Sequence, residues 1–141
     1  MLDLASLKQA FGNIDFREKR IGVYKVLVPF FYEDGDMYDI FIEEIPERNT
    51  IRISDYGLTL MKLSYSFDID TEHKQEVLET IVMQNRAQFD NGLIYLDVLP
   101  HQFGVGVNQF AQVISKVTNM DIISRELQKS MFPEMLHTFV T

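Results

Sequence analysis

The sequence predicts an α+β domain in which an antiparallel sheet, made of a three-stranded meander and a later hairpin, is packed by about four helices. Three observations predict it. Runs of β-branched and aromatic residues are separated by short turns, amphipathic segments repeat every three to four residues, and the composition is ordinary for a globular protein. The 141 residues show no linker and no repeat, so we expect one domain over residues 1–141.

The first half of the chain predicts a short helix followed by the meander. An apolar stripe predicts the helix over residues 2–11, and the charged residues 15–20 are expected to form a link. Two turn sequences, the first containing Asp34-Gly35, separate three runs that are rich in β-branched and aromatic residues. The strands are therefore expected at residues 23–31, 37–45 and 50–54.

The second half of the chain predicts helices around one hairpin. Asn91-Gly92 is a strong signal for a hairpin turn, because both positions of that turn need positive φ. Its strands are expected at residues 87–90 and 93–99. The apolar periodicity predicts helices at residues 58–63, 72–85, 107–117 and 121–140, the last with a break at Pro133.

Composition excludes several classes of function. Without cysteine the chain has no disulfide scaffold, no thiolate zinc site and no cysteine nucleophile. No secretory signal is visible, and no apolar run approaches the roughly 20 residues that span a bilayer. We therefore expect a cytoplasmic protein that does not contact membranes.

The net charge of −8 bears on possible partners. An acidic surface repels phosphate backbones at long range, which speaks against direct nucleic-acid binding. Its simplest role is solubility. The alternative is an acidic face that docks a basic partner.

The meander and the segment after it resemble a known family. A strand, a turn and a strand are followed by a third strand that runs into Ser54-Asp55-Tyr56-Gly57-Leu58-Thr59-Leu60. This order resembles the bacterial and phage family catalogued as domain of unknown function 1828, over about residues 23–123. The resemblance implies an origin in a bacterium or a phage-infected host. It implies no established reaction, so no catalytic residue is carried over.

Six residues are candidates for binding a partner. Asp55 lies where a strand meets a helix and could face a ligand, although capping of that helix is the simpler interpretation. Exposed aromatic side chains would mark a partner surface, as would methionines on the helix expected at residues 121–140. The candidates are Phe31, Tyr38, Asp55, Tyr56, Met131 and Met135.

Other patterns carry less weight. Gly104-Val105-Gly106 lacks the third glycine and the lysine of a phosphate-binding loop, and indicates a flexible segment before a helix. Asp39 and Glu43 would share one face of a strand beside Lys25, which is the weak basis for a metal-dependent nuclease. We predict no catalytic residue, no metal site and no cofactor.

The leading hypothesis is a non-enzymatic protein-interaction module whose partner is a protein, with self-association as its simplest form. Two alternatives stay open: an acidic phage-encoded inhibitor of a host nucleic-acid enzyme, and the metal-dependent nuclease.

Overall fold

Six strands and four helices make up the described part of the chain, which in this computed structural model comprises residues 2–12, 14–65, 69, 71–120 and 122. The strands are β1 (Asp15–Arg20), β2 (Val23–Leu27), β3 (Phe41–Ile45), β4 (Thr50–Ser54), β5 (Gln88–Asp90) and β6 (Leu93–Val98). The helices are α1 (Leu4–Phe11), α2 (Leu58–Leu63), α3 (Glu72–Gln84) and α4 (Phe103–Thr118). Apart from Ile122, the helix expected at residues 121–140 lies outside the described residues.

The strands form one antiparallel sheet in the order β1-β2-β3-β4-β6-β5. The predicted α+β class is confirmed, as are the meander of β2, β3 and β4 and the later hairpin of β5 and β6. In that hairpin Asn91 has φ of 50° and Gly92 has φ of 81°. The turn therefore has the two positive φ values that Asn-Gly favours.

The charged segment expected to be a link is strand β1. Its backbone pairs with β2 from Asp15 opposite Leu27 to Arg20 opposite Val23. The apolar anchor of the strand is Phe16, whose ring lies 6.1 Å from that of Phe103. Charged side chains are common on such edge strands, because they discourage pairing with other chains.

The connection between β2 and β3 is longer than the sequence predicts. Strand β2 ends at Leu27 and pairs regularly with β3 only from Val23 to Lys25, and Pro29 cannot donate to a ladder. Beyond the regular ladder, the two chain segments are joined by irregularly spaced backbone hydrogen bonds. In one of them the Tyr38 N–H donates to the Phe30 carbonyl at 2.9 Å. Residues 28–40 therefore form an ordered loop instead of two strand ends.

Helix α4 covers the apolar face of the sheet and begins earlier than predicted. Gly104 and Gly106 lie inside it, so the expected flexible segment before the helix is wrong. A Cβ added at Gly106 would meet Val98 Cγ1 at 2.9 Å and Ile53 Cδ1 at 3.0 Å. The absence of a side chain thus lets α4 approach β4 and β6 closely.

The two faces of the sheet differ in character. Directly opposed residues on one face make an apolar row beneath the helices, composed of Tyr24, Ile42, Ile53 and Leu96. The opposite face presents charged and aromatic side chains from the same strands. No helix in the described residues is long and apolar enough to cross a membrane.

Candidate functional site

The Ser54–Gly57 motif joins the end of β4 to the start of α2. Asp55 is fully buried, and its carboxylate accepts hydrogen bonds from three backbone N–H groups. The donors are Gly57 at 2.9 Å, Ile94 at 3.0 Å and Thr59 at 3.3 Å. Asp55 therefore holds β4, β6 and α2 together, and its carboxylate does not reach the surface.

Burial also sets the charge preference of this carboxyl group. Desolvation raises the pKa of Asp55 above its ordinary value, against the three N–H donors that favour the ionised form. The Tyr56 N–H donates a hydrogen bond to the Ser54 hydroxyl oxygen at 3.1 Å, and Gly57 has φ of 80°. The motif is therefore a hydrogen-bonded corner between β4 and α2. The bond from the Thr59 N–H to Asp55 is the helix capping that the sequence indicates.

A concave surface of about 460 Å³ lies between the β2–β3 loop, the end of α2 and the end of α4. We call it the aromatic groove. Its apolar lining is Phe31, Tyr32, Tyr38, Leu63 and Tyr65, and its polar lining is Glu33, Asp34, Lys62, Ser115, Thr118 and Asn119. Phe31 is 54% exposed and Tyr65 is 79% exposed. Two solvent-exposed aromatic rings thus line one groove.

The inner rings of the groove are fixed against each other. Tyr38 lies between two neighbours, with ring centroids 4.8 Å from Tyr32 and 6.2 Å from Phe30. The Tyr32 hydroxyl donates to Asp39 Oδ2 at 3.1 Å, and burial beside that carboxylate raises the pKa of Tyr32. These contacts give the groove a wall that exists before any partner arrives.

Lys62 secures the acidic turn, which we define as Glu33, Asp34 and Asp36. Its ammonium lies 2.7 Å from Asp34 Oδ2 and 3.2 Å from Asp36 Oδ2, and 4.2 Å from the Tyr32 ring centroid. The hydrogen bond with Asp34 raises the pKa of Lys62, and Lys62 lowers the pKa of Asp34. Lys62 pairs with two of the three carboxylates of the turn, so the turn keeps a net negative formal charge.

The sheet face opposite α4 is a second candidate surface, and we call it the uncovered face because no helix of the described residues packs on it. Arg52 donates to both carboxylate oxygens of Asp97, at 2.8 and 2.9 Å, and its guanidinium lies 4.3 Å from the Tyr95 ring centroid. Asp97 also holds the pKa of Arg52 above its ordinary value. This arginine is ordered and already neutralised.

Tyr56 extends that face toward β1. Its hydroxyl donates to Glu43 at 3.2 Å, its ring meets Phe41 edge-on at 5.1 Å, and the Arg20 guanidinium lies 5.7 Å from the ring centroid. The polar ends of these side chains satisfy one another. The side chains of the uncovered face pair with one another, whereas the aromatic groove is concave and has two exposed rings.

A third candidate surface is a concavity of about 430 Å³ between α1 and the end of the sheet. Its floor includes Leu7 and Ile51, and Asp3 and His101 stand at its edge. Asp3 is used by α1 itself, since it accepts from the Ser6 backbone N–H at 3.2 Å. The rest of its lining is Leu2, Ser6, Glu44, Asn49, Thr50 and Pro100, so among the described residues it has no exposed aromatic ring comparable with Phe31 or Tyr65.

Comparison with protein-family models identifies the family of the chain. The family model described as Domain of unknown function DUF1828 matches residues 28–117, more than half of the sequence. The chain belongs to this family. Comparisons with curated proteins and with solved structures give no significant match.

The DUF1828 match contains most of the aromatic groove. It begins in the β2–β3 loop and ends within α4, so α1, β1 and β2 lie before it. Thr118 and Asn119 of the groove lie just after it. The sequence resemblance to this family is therefore confirmed, over a slightly shorter range than predicted.

The structure places the six predicted binding residues in different surroundings. Phe31 is exposed at the aromatic groove, while Tyr38 contributes to the groove wall but is only 9% exposed. Tyr56 lies on the uncovered face, and Asp55 is buried. Met131 and Met135 lie outside the described residues.

Sequence reasoning missed Tyr65 and Lys62. Tyr65 follows a short helix and belongs to no apolar periodic pattern, and that isolation is the one signal that could have marked it as a surface aromatic. Lys62 carries no signal for its role, because its partners Asp34 and Asp36 are distant in sequence.

The residues considered for a nuclease are already paired with other groups of the chain. Asp39 Oδ1 lies 3.6 Å from Lys25 Nζ in the loop before β3, and Glu43 receives the Tyr56 hydroxyl on the uncovered face. Over the described ranges, no group of three histidine, aspartate or glutamate side chains could hold a metal ion.

Proposed function

We propose that this chain is a non-enzymatic protein-interaction module of a bacterium or phage, working in the cytoplasm, and that the aromatic groove receives its partner protein. The observation that carries the proposal is the pair of exposed rings, Phe31 and Tyr65, that line one preformed concavity. Large exposed aromatics around a groove are typical of sites that bury them on binding.

Burial of the two exposed rings would contribute a free energy large enough to anchor a protein interface. Covering both rings would remove about 200 Å² of apolar surface from water, which corresponds to about 5 kcal/mol at 25 cal/mol per Å². Association costs a comparable amount in lost translational and rotational freedom. The rings can therefore anchor an interface but need additional contacts around them.

Preorganisation lowers the cost of binding at this groove. The Tyr32–Tyr38 ring contact and the Lys62 ion pairs fix the loop in the unbound protein. A partner then immobilises chiefly the two exposed rings, instead of ordering the whole loop.

The uncovered face of the sheet supports the same class of function less strongly. Arg52 and Lys25 are both neutralised by carboxylates of the chain itself, which leaves less positive charge for a polyphosphate. A face whose arginine is already paired and packed on tyrosine is better suited to binding a protein than to binding a nucleic acid.

The test compares partner recovery by matched surface variants. Phe31→Ser with Tyr65→Ser removes the open rings, and Met83→Ser is the control because Met83 is 70% exposed on α3, away from the groove. We expect cross-linked protein partners to be recovered from host lysate with the wild type and with Met83→Ser, and to be lost with the double variant. Equal recovery by all three proteins would refute the groove as the partner site.

Self-association is tested with the same proteins. Light scattering across a range of protein and salt concentrations gives the solution mass of each. A dimer that dissociates in the double variant and persists in Met83→Ser would identify the partner as a second copy of this chain.

A further inference from the structure

The aromatic groove has the surface chemistry that fits proline side chains. Tyr32 and Tyr38 form its wall, and Phe31 and Tyr65 stand open beside them. Polyproline II segments bind in aromatic-lined grooves, since the rings of the segment pack on aromatic faces and its backbone is already extended before binding. A rigid segment also loses little conformational entropy when it meets a rigid wall.

The polar lining of the groove argues against a helical partner. A helix is about 10–12 Å across and buries an apolar stripe, whereas more than half of the residues that line this groove are polar. A polyproline II backbone has no internal hydrogen bonds, so its carbonyl groups need donors. The hydroxyl of the exposed Tyr65 is such a donor at the groove.

The acidic turn adds a charge preference. Glu33 and Asp34 line the groove, and Asp36 shares Lys62 with Asp34. Three carboxylates against one ammonium leave a formal charge of about −2 beside the rings. A lysine or arginine next to the prolines would meet this charge, and an acidic residue there would be repelled.

We propose that the aromatic groove binds a short proline-rich segment of a partner protein in the polyproline II conformation, with a lysine or arginine beside the prolines directed at the acidic turn. This inference rests on the proposed interaction function and names the chemistry of the partner. It assigns ring packing to Phe31 and Tyr65 and charge selection to the acidic turn.

Three synthetic peptides of about ten residues, a length that spans roughly 30 Å as polyproline II, test the proposal. The first is proline-rich with two terminal arginines, the second has glutamates in place of those arginines, and the third keeps the arginines but replaces proline with glycine and serine. Amide NMR spectra of the isotope-labelled full chain are recorded during each titration. We expect saturable shifts at groove residues with the first peptide, about tenfold weaker binding of the second, and no saturation with the third.

Variants of exposed residues separate the two parts of the proposal. Tyr65→Ser should weaken the first peptide at least about tenfold, whereas Met83→Ser should leave it unchanged. Glu33→Lys should weaken the arginine peptide and strengthen the glutamate peptide. Because these three side chains are exposed, each variant can be checked for an unchanged fold from the remaining amide signals.

The outcomes distinguish this inference from the proposed function. If no peptide binds, but the double variant Phe31→Ser with Tyr65→Ser still loses its captured partner, the interaction function stands and the proline assignment is wrong. If the glycine-serine peptide binds as well as the first, polyproline recognition is also wrong. Groove shifts that depend on protein concentration without any peptide would assign the groove to a second copy and overturn the inference.

Discussion

Replacing Asp55 by alanine tests the central corner of the fold. The substitution removes the acceptor for three backbone N–H groups. Thr59 and Ile94 are completely buried, so water cannot replace the carboxylate there, whereas Gly57 is partly exposed. Each buried group left without a partner costs about 1–3 kcal/mol, so the two together predict a loss of about 4 kcal/mol in the free energy of unfolding.

Urea unfolding followed by circular dichroism measures this loss, with Glu79→Ala as the control. Glu79 is exposed on α3 and its replacement makes the same change in net charge. A loss of about 4 kcal/mol is a large part of the 5–15 kcal/mol typical of a domain. Asp55→Asn therefore provides a milder variant, expected to lose about 2 kcal/mol because only the oxygen facing Thr59 is replaced by a donor. A loss for Asp55→Ala as small as that for Glu79→Ala would refute the reasoning.

The pH dependence of the same variant tests the charge state of Asp55. Burial raises the pKa of this carboxyl group in the folded protein above its unfolded value of about 3.9. The resulting stability is fully present below the unfolded pKa and is lost as pH rises through the folded pKa. The stability advantage of the wild type over Asp55→Asn should therefore shrink as pH rises. An advantage that grows with pH would mean that the three N–H donors outweigh desolvation.

Three further substitutions have defined expectations. Gly106→Ala should destabilise the protein by about 1–3 kcal/mol in thermal melts, because the new methyl group would overlap Val98, and a shift within error would disprove the close packing of α4. Arg52→Lys should cost about 1 kcal/mol in urea unfolding, since lysine cannot make the two parallel bonds to Asp97; no change would indicate that the pair contributes nothing. Tyr65→Ser should change stability by less than about 0.5 kcal/mol, and a larger loss would place this ring in the core.

Local chemistry made part of the fold predictable. The Asn91-Gly92 turn followed from the conformational freedom of two adjacent residues, and it has the expected positive φ values. The strand over residues 50–54 followed from side-chain alternation between short turns, and it has the predicted bounds. In both cases the controlling interactions lie within a few residues of each other.

Nonlocal packing decided what the pattern did not predict. Strand β1 carries five charged residues among its six, and it is a strand because its backbone pairs with β2 and Phe16 reaches the core. Gly104 and Gly106 disfavour a helix locally, yet α4 includes both because a glycine at position 106 allows it to approach Val98 and Ile53. Tertiary contact outweighed local propensity in each case.

The sequence by itself determined the fold class, the meander, the hairpin and the family of this protein. Only the tertiary structure decided that Asp55 is a buried connector, that Tyr38 is a groove wall and that Phe31 and Tyr65 face one concavity. Helix and strand patterns depend on neighbours a few residues apart. A groove depends on which distant segments meet, and that is fixed when α2, α4 and the β2–β3 loop pack around a common core.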